Sequence, residues 1–189
     1  MSRTKLILFC LPLAATLGTA TAATVTFDTL PGINTDPFTT ITENGITVTS
    51  TTGDWQQAFL VGNPVPSIFT QSPTASLTIT TGGQFGFLSF DLGTGGTTNP
   101  EYLFQGFIGA LEVLNGTASP GGIDFVTITN FFPPMLIDRL VITTTLTSTS
   151  ANIDNINLDL VSSVPEPGTV TLGALGLAGL YFARRRRTA

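Results

Sequence analysis

Apolar and hydroxyl-bearing residues take turns along most of this chain. The alternation runs through Thr24-Val25-Thr26-Phe27-Asp28, Ile46-Thr47-Val48-Thr49, Leu77-Thr78-Ile79-Thr80, Phe125-Val126-Thr127-Ile128-Thr129 and Leu140-Val141-Ile142-Thr143. A period of two sends one row of side chains into a core and the other into water, so each run predicts a half-buried strand. Threonine, valine, isoleucine and phenylalanine dominate these runs, as pleated surfaces favour. Asn44-Gly45 lies between two runs and predicts a tight hairpin, because both residues accept positive φ. Gly- and Pro-rich stretches at 62–66, 93–100 and 115–122 predict loops. No stretch between the two ends carries helical spacing with caps. About ten short strands so spaced predict an all-β fold, a single antiparallel β-sandwich of jelly-roll-like type over residues 23–163.

The two ends read differently. Arg3 and Lys5 precede an apolar stretch from Leu6 to Leu17, and Ala20-Thr21-Ala22 follows as a small-residue cleavage pattern. Residues 1–22 therefore read as a signal peptide, with signal peptidase as the processing partner. The stretch is shorter than the roughly 20 residues of a membrane span, which favours cleavage over anchoring. At the other end come Pro165-Glu166-Pro167, an apolar segment over 170–183 and the run Arg184, Arg185, Arg186 and Arg187. The two prolines stiffen an extended segment suited to a processing enzyme's cleft. Fourteen residues of helix span only about 21 Å, short of the ~30 Å hydrocarbon core, and so predict a marginal transmembrane helix. The arginines after it act as a cytoplasmic stop, leaving the sandwich on the outer side. Gly173, Gly176 and Gly179 recur at threes and leave either one smooth helix face or ordinary small-residue filler.

Charge sharpens the picture. Of the seven basic residues only Arg139 lies between the ends, against eleven acidic residues from Asp28 to Asp159. So acidic a domain repels phosphate backbones and excludes nucleic acid, while cations and neutral glycans remain as partners. The sequence has no histidine, and its one cysteine, Cys10, sits in the leader. Disulfides, thiolate metal sites, Ser-His-Asp and Cys-His machines and Schiff-base lysines are thereby excluded from the processed domain.

Residues 164–189, with Pro165, Glu166 and Pro167 leading and the arginine run closing, resemble the PEP-CTERM sorting signal. The resemblance implies recognition of Pro165-Glu166-Pro167 by an exosortase. It also implies passage through an inner-membrane intermediate and a final place on the cell surface or in an exopolysaccharide matrix. A second resemblance lies within the domain. Phe87-Leu88-Ser89-Phe90-Asp91-Leu92, Ile137-Asp138-Arg139-Leu140 and Ile153-Asp154-Asn155-Ile156 resemble galactose-binding-like jelly rolls, which include many carbohydrate-binding modules. That resemblance implies a structural calcium between Asp28 and Asp154, the alternative being solvated strand-end acids; two carboxylates alone do not fill calcium's six to eight positions.

Among the remaining candidates, Trp55 and Tyr102 read either as sugar-stacking rings or as core packing. Glu43, Glu101 and Glu112 are the carboxylates available to a glycosidase-like enzyme. Arg139 beside Asp138 reads as a local charge pair, and Asn115-Gly116-Thr117 as a loop. Threonine-apolar-threonine triplets recur without the fixed period of an ice-binding solenoid, and a wet sheet face accounts for them. The reading is a non-enzymatic surface or matrix protein that associates with glycan, needing no cofactor; a secreted carboxylate-dependent enzyme is the alternative.

Overall fold

The structure, a computed structural model, describes residues 20–96, 99–122, 124–130, 135–146 and 150–161, together with Gly176. The expected leader up to residue 19, Pro165-Glu166-Pro167, the apolar segment apart from Gly176 and the arginine run lie outside the described residues. No helix among the described residues is long and apolar enough to cross a membrane.

The hairpin signal is realised first. Strand β2 (Thr40–Glu43) and strand β3 (Ile46–Thr52) flank Asn44 and Gly45, whose φ values are +50° and +79°. Across this ladder the hydroxyls of Thr40 and Thr49, and of Thr42 and Thr47, meet at 3.2 and 3.0 Å on the wet face. Ile41, paired with Val48, turns into the core.

Nine further strands among the described residues complete the sandwich: β1 (Ala20–Val25), β4 (Trp55–Ala58), β5 (Ser67–Thr70), β6 (Thr74–Thr94), β7 (Glu101–Ile108), β8 (Leu111–Ala118), β9 (Val126–Thr129), β10 (Leu136–Thr145) and β11 (Ala151–Val161). Every pairing among them is antiparallel. Strand β6 belongs to both layers. Its first half pairs with β3 and β10, and its second half with β11 and β9, the start of β10 reaching past the change of layer to Phe85 and Gly86. The change of layer falls at the exposed Gly82-Gly83-Gln84. One layer thus runs β2-β3-β6-β10-β7-β8 and the other β4-β5-β11-β6-β9, with β1 beside the C-terminal half of β11.

Burial along β6 records what covers each half. Ala75, Leu77 and Ile79 are buried and alternate with half-exposed neighbours, as a sheet with one wet face requires. From Phe85 to Thr94 every residue but Leu88 is buried, because that half is covered on both faces. The layers meet where Phe104 of β7 packs on Phe87 and Phe90 of β6, each pair of ring centroids 5.6 Å apart. Gly116 of β8 makes room for this cluster, since a Cβ there would lie 2.4 Å from Phe104 Cζ.

Two loop expectations are corrected. Residues 93–94 close β6 and residues 115–118 close β8, so Asn115-Gly116-Thr117 lies in a strand. Their pairing with Leu103, Phe104 and Gln105 of β7 outweighs the turn preference of Asn-Gly. Strand β1 begins at Ala20, on the leader side of the expected cleavage point.

Candidate functional site

The second half of β6 carries an acidic residue inside an apolar run, Phe90-Asp91-Leu92, and β11 carries another, Ile153-Asp154-Asn155. Asp91 and Asp154 are direct partners in the β6–β11 ladder, and both are buried, at 5% and 0% exposure. They are covered by a strap, residues 59–66, that links β4 to β5. Asn63 fastens the strap. Its N–H donates to Asp154 Oδ2 at 2.6 Å and its Nδ2 donates to Asp91 Oδ2 at 3.2 Å. Asn155 Nδ2 donates to Asn63 O and, at 2.9 Å, to Asp91 Oδ2. Asn155 reaches both from a φ of +43°, at a register shift in β11. Thr127 Oγ1 donates to Asp91 Oδ1 at 2.6 Å.

Burial pushes the Asp154 carboxyl up to about 7. The N–H groups of Asn63 and Asn155 oppose the shift, while the negative charges of Asp91 and Asp28 add to it.

The structure thus brings Asp28 within electrostatic reach of Asp154, but these residues do not fit calcium. Each oxygen of Asp154 accepts a backbone N–H, from Asn63 and from Asn155. Asp28 is exposed and accepts from Thr26 Oγ1 at 3.0 Å. No group of three or more acidic, histidine or cysteine side chains among the described residues is arranged to hold a metal ion.

The candidate stacking rings are placed in the core. Trp55 is 2% exposed and Tyr102 0%, so neither offers an open face to a sugar. Trp55 lies on β4 and borders a cleft of about 340 Å³ shared with Phe38, Ser50 and Asp54. Its indole N–H has no acceptor among the described residues. The Tyr102 hydroxyl lies 2.6 Å from Gly93 O and 3.0 Å from Asn152 O, joining β7 to the other layer. Burial raises its pKa and keeps it a donor.

The three candidate catalytic carboxylates are scattered. Glu43 accepts from the N–H groups of Thr26, Phe27 and Thr29 at 2.8, 3.1 and 3.2 Å and from Thr29 Oγ1 at 2.6 Å. Burial alone would raise its pKa, but these donors together hold it below the usual carboxylate range. Glu112 accepts from Gln105 Nε2 and Asn115 Nδ2, both at 2.6 Å. It pairs with Phe107, six residues along β7 from Glu101, which is roughly 20 Å of strand. Glu43 and Glu112 stand on opposite edge strands of one layer, five strand spacings or roughly 24 Å apart. Both separations exceed the roughly 5–9.5 Å between working glycosidase carboxylates.

Asp138 and Arg139 lie at a register shift in the β6–β10 ladder, both half-buried between the buried Ile137 and Leu140, and they do not pair as the sequence suggests. Asp138 Oδ2 takes the Gly109 N–H at 2.5 Å, and the Arg139 guanidinium sits 4.4 Å from the Phe107 ring centroid.

One open cleft adjoins the fastened strap. About 420 Å³ in volume, it is lined by Leu60, Val61, Gly62, Asn63, Asp124 and Phe125. Leu60 is 80% exposed, Asp124 is exposed and Phe125 is half-buried. The Phe125 ring rests on Gly93, where a Cβ would come within 3.2 Å of three ring carbons. Sequence reasoning passed over Phe125. Its one signal was an aromatic beside an acid at the mouth of a glycine-rich loop.

The described residues define an antiparallel β-sandwich with a strapped acidic pair and a neighbouring cleft. Residues 163–187 match the PEP-CTERM protein-sorting motif, which indicates export and delivery to the cell surface through a membrane intermediate. No curated protein matches the chain. Among solved structures, the family 32 carbohydrate-binding module of C. perfringens NanJ in complex with galactose is 20% identical, with 66% of this chain and 99% of that one covered and a TM-score of 0.43. The family 11 module from Clostridium thermocellum, in complex with a mixed-linked tetrasaccharide, is 12% identical, with 66% and 93% covered and a TM-score of 0.41. The enzymatically active domain of a bacteriophage CBA120 tailspike is 18% identical at a TM-score of 0.41, with 62% of this chain covered; the chain spans about a fifth of its length. Likeness of this degree says nothing of what this chain binds.

Proposed function

We infer that this is an exported protein, freed from its leader by signal peptidase and held in the inner membrane by its tail. An exosortase then acts at Pro165-Glu166-Pro167, and the sandwich passes to the cell surface or exopolysaccharide matrix. There it associates with glycan without catalysing a reaction. The observation that carries this reading is the order at residues 163–187: Pro-Glu-Pro, a short apolar segment, then four arginines. The domain's chemistry supports it, because one arginine against eleven acids suits uncharged polymers. The scatter of Glu43, Glu101 and Glu112 supports binding over hydrolysis.

Fractionation of cells expressing the chain with Pro165→Ala, Glu166→Ala and Pro167→Ala together tests the sorting step. The altered chain should accumulate in the inner membrane at full length. Equal surface delivery of altered and unaltered chains would refute the reading.

A further inference from the structure

We propose that the cleft between the strap and Phe125 binds a neutral saccharide, with Phe125 as the stacking face and Asp124 as the acceptor for sugar hydroxyls. This rests on the glycan-associating reading above and gives it a place and a ligand class. Three observations carry it.

The first is shape and composition. A cleft of about 420 Å³ is of small-ligand size. It sets a half-buried aromatic ring beside the apolar side chain of Leu60, with an exposed carboxylate at its margin. A pyranose presents the matching surface, axial C–H groups on one face and hydroxyl donors around its edge. A carboxylate accepts such hydroxyls in short, charge-assisted bonds.

The second is charge. The lining includes one acid and no base, with Asp91 and Asp154 just behind Asn63. Uronates, sulfated sugars and phosphates are repelled, and neutral rings are not.

The third is rigidity. The cleft wall is tied at Asn63 by Asp91, Asp154 and Asn155, and at Val61, whose carbonyl accepts from Ser67 Oγ at 2.7 Å. The Phe125 ring is seated on the bare Cα of Gly93. A wall and platform fixed in advance spare the ligand the ordering cost that weakens loop-built sites.

The test uses the full chain, extracted in a detergent without a sugar headgroup. It is titrated calorimetrically with neutral oligosaccharides of galactose, glucose and mannose, and with a uronate oligomer and spermine as charged probes. Saturable binding of at least one neutral oligosaccharide is expected. Phe125→Ala should weaken it by about tenfold or more, as loss of a central aromatic anchor does, and Phe125→Tyr should retain it. Asp124→Asn alters an exposed position and should weaken binding several-fold with the melting temperature unchanged. Binding of the uronate or spermine alone, binding of no neutral probe, or equal affinity in Phe125→Ala and Asp124→Asn would each overturn the assignment. Surface arrival, scored by protease access on whole cells, separates the two readings. Saccharide binding that Phe125→Ala leaves intact refutes the cleft alone, arrival without any saccharide binding refutes the glycan association with it, and failure of the unaltered chain to arrive refutes the sorting route.

Discussion

Asp91 and Asp154 stand opposite each other across the β6–β11 ladder, and Asn63 donates a hydrogen bond to each. A buried acid pair is costly when both members are ionised, because like charges in a poorly solvated site repel. The donors from Asn63, Asn155 and Thr127 offset part of that cost, and protonation of Asp154 removes more.

The pair predicts the direction of pH dependence. Asp154 rises from 3.8 to about 7 on folding, through burial first and then through Asp91 and Asp28. The native state therefore binds this proton more tightly than the unfolded chain, and stability falls as pH climbs through that window. Thermal melting should give a higher midpoint near pH ~5 than near pH ~8. In Asp154→Asn the slope between them should flatten, whatever happens to the midpoint itself. An unchanged slope would show that Asp154 does not titrate there.

Glu43 acts in the opposite sense. Its carboxyl is held below 4.5, so its contribution is present above that value and lost as pH falls through the folded pKa. Glu43→Ala strands the N–H groups of Thr26, Phe27 and Thr29, in a turn where Phe27 already has a φ of +62°. Urea unfolding should show a loss of about 2–3 kcal/mol, with a smaller loss for Glu43→Gln.

The aromatic cluster is full. Adding a methyl at Gly116 drives it to within 2.4 Å of Phe104, so Gly116→Ala should lose about 1–3 kcal/mol in urea unfolding. Pairing it with Phe104→Leu makes room again, and the double variant should lose less than the two single losses added together.

Tyr102→Phe removes the hydroxyl that lies between Gly93 O and Asn152 O. The expected cost is about 1 kcal/mol by thermal unfolding, because the two carbonyls keep their places and lose a donor. A cost below the error of measurement would mean that the ring's packing alone fixes this position.

The sequence shows best what local chemistry decides. Asn44-Gly45 names its own turn, and the alternation in Leu77-Thr78-Ile79-Thr80 survives because only one face of that half-strand is covered. What a distant segment decides stays hidden. Nothing in Gly82-Gly83 says that one strand continues through it into the other layer. Trp55 flanked by Asp54 and Gln56 looks exposed until the core claims it. Asp154 reads as a strand-end acid because the strap that buries it lies 91 residues away in sequence, and nothing in Phe90-Asp91-Leu92 points to Asn63, 28 residues before it. Phe125 was illegible for the same reason, since its seat is a glycine on another strand.

The place of β11 has a consequence for the order of events during export. On the export route proposed above, the chain is threaded from its leader onward, and this last strand lies inside its layer, flanked by β6 on one side and by β1 and β5 on the other. Until residue 161 has emerged, the layer is an arch without its keystone, and β1 lacks the strand it pairs with. On that proposed route, closure coincides with entry of the sorting tail into the bilayer, so a pause there gives the domain its first opportunity to become whole.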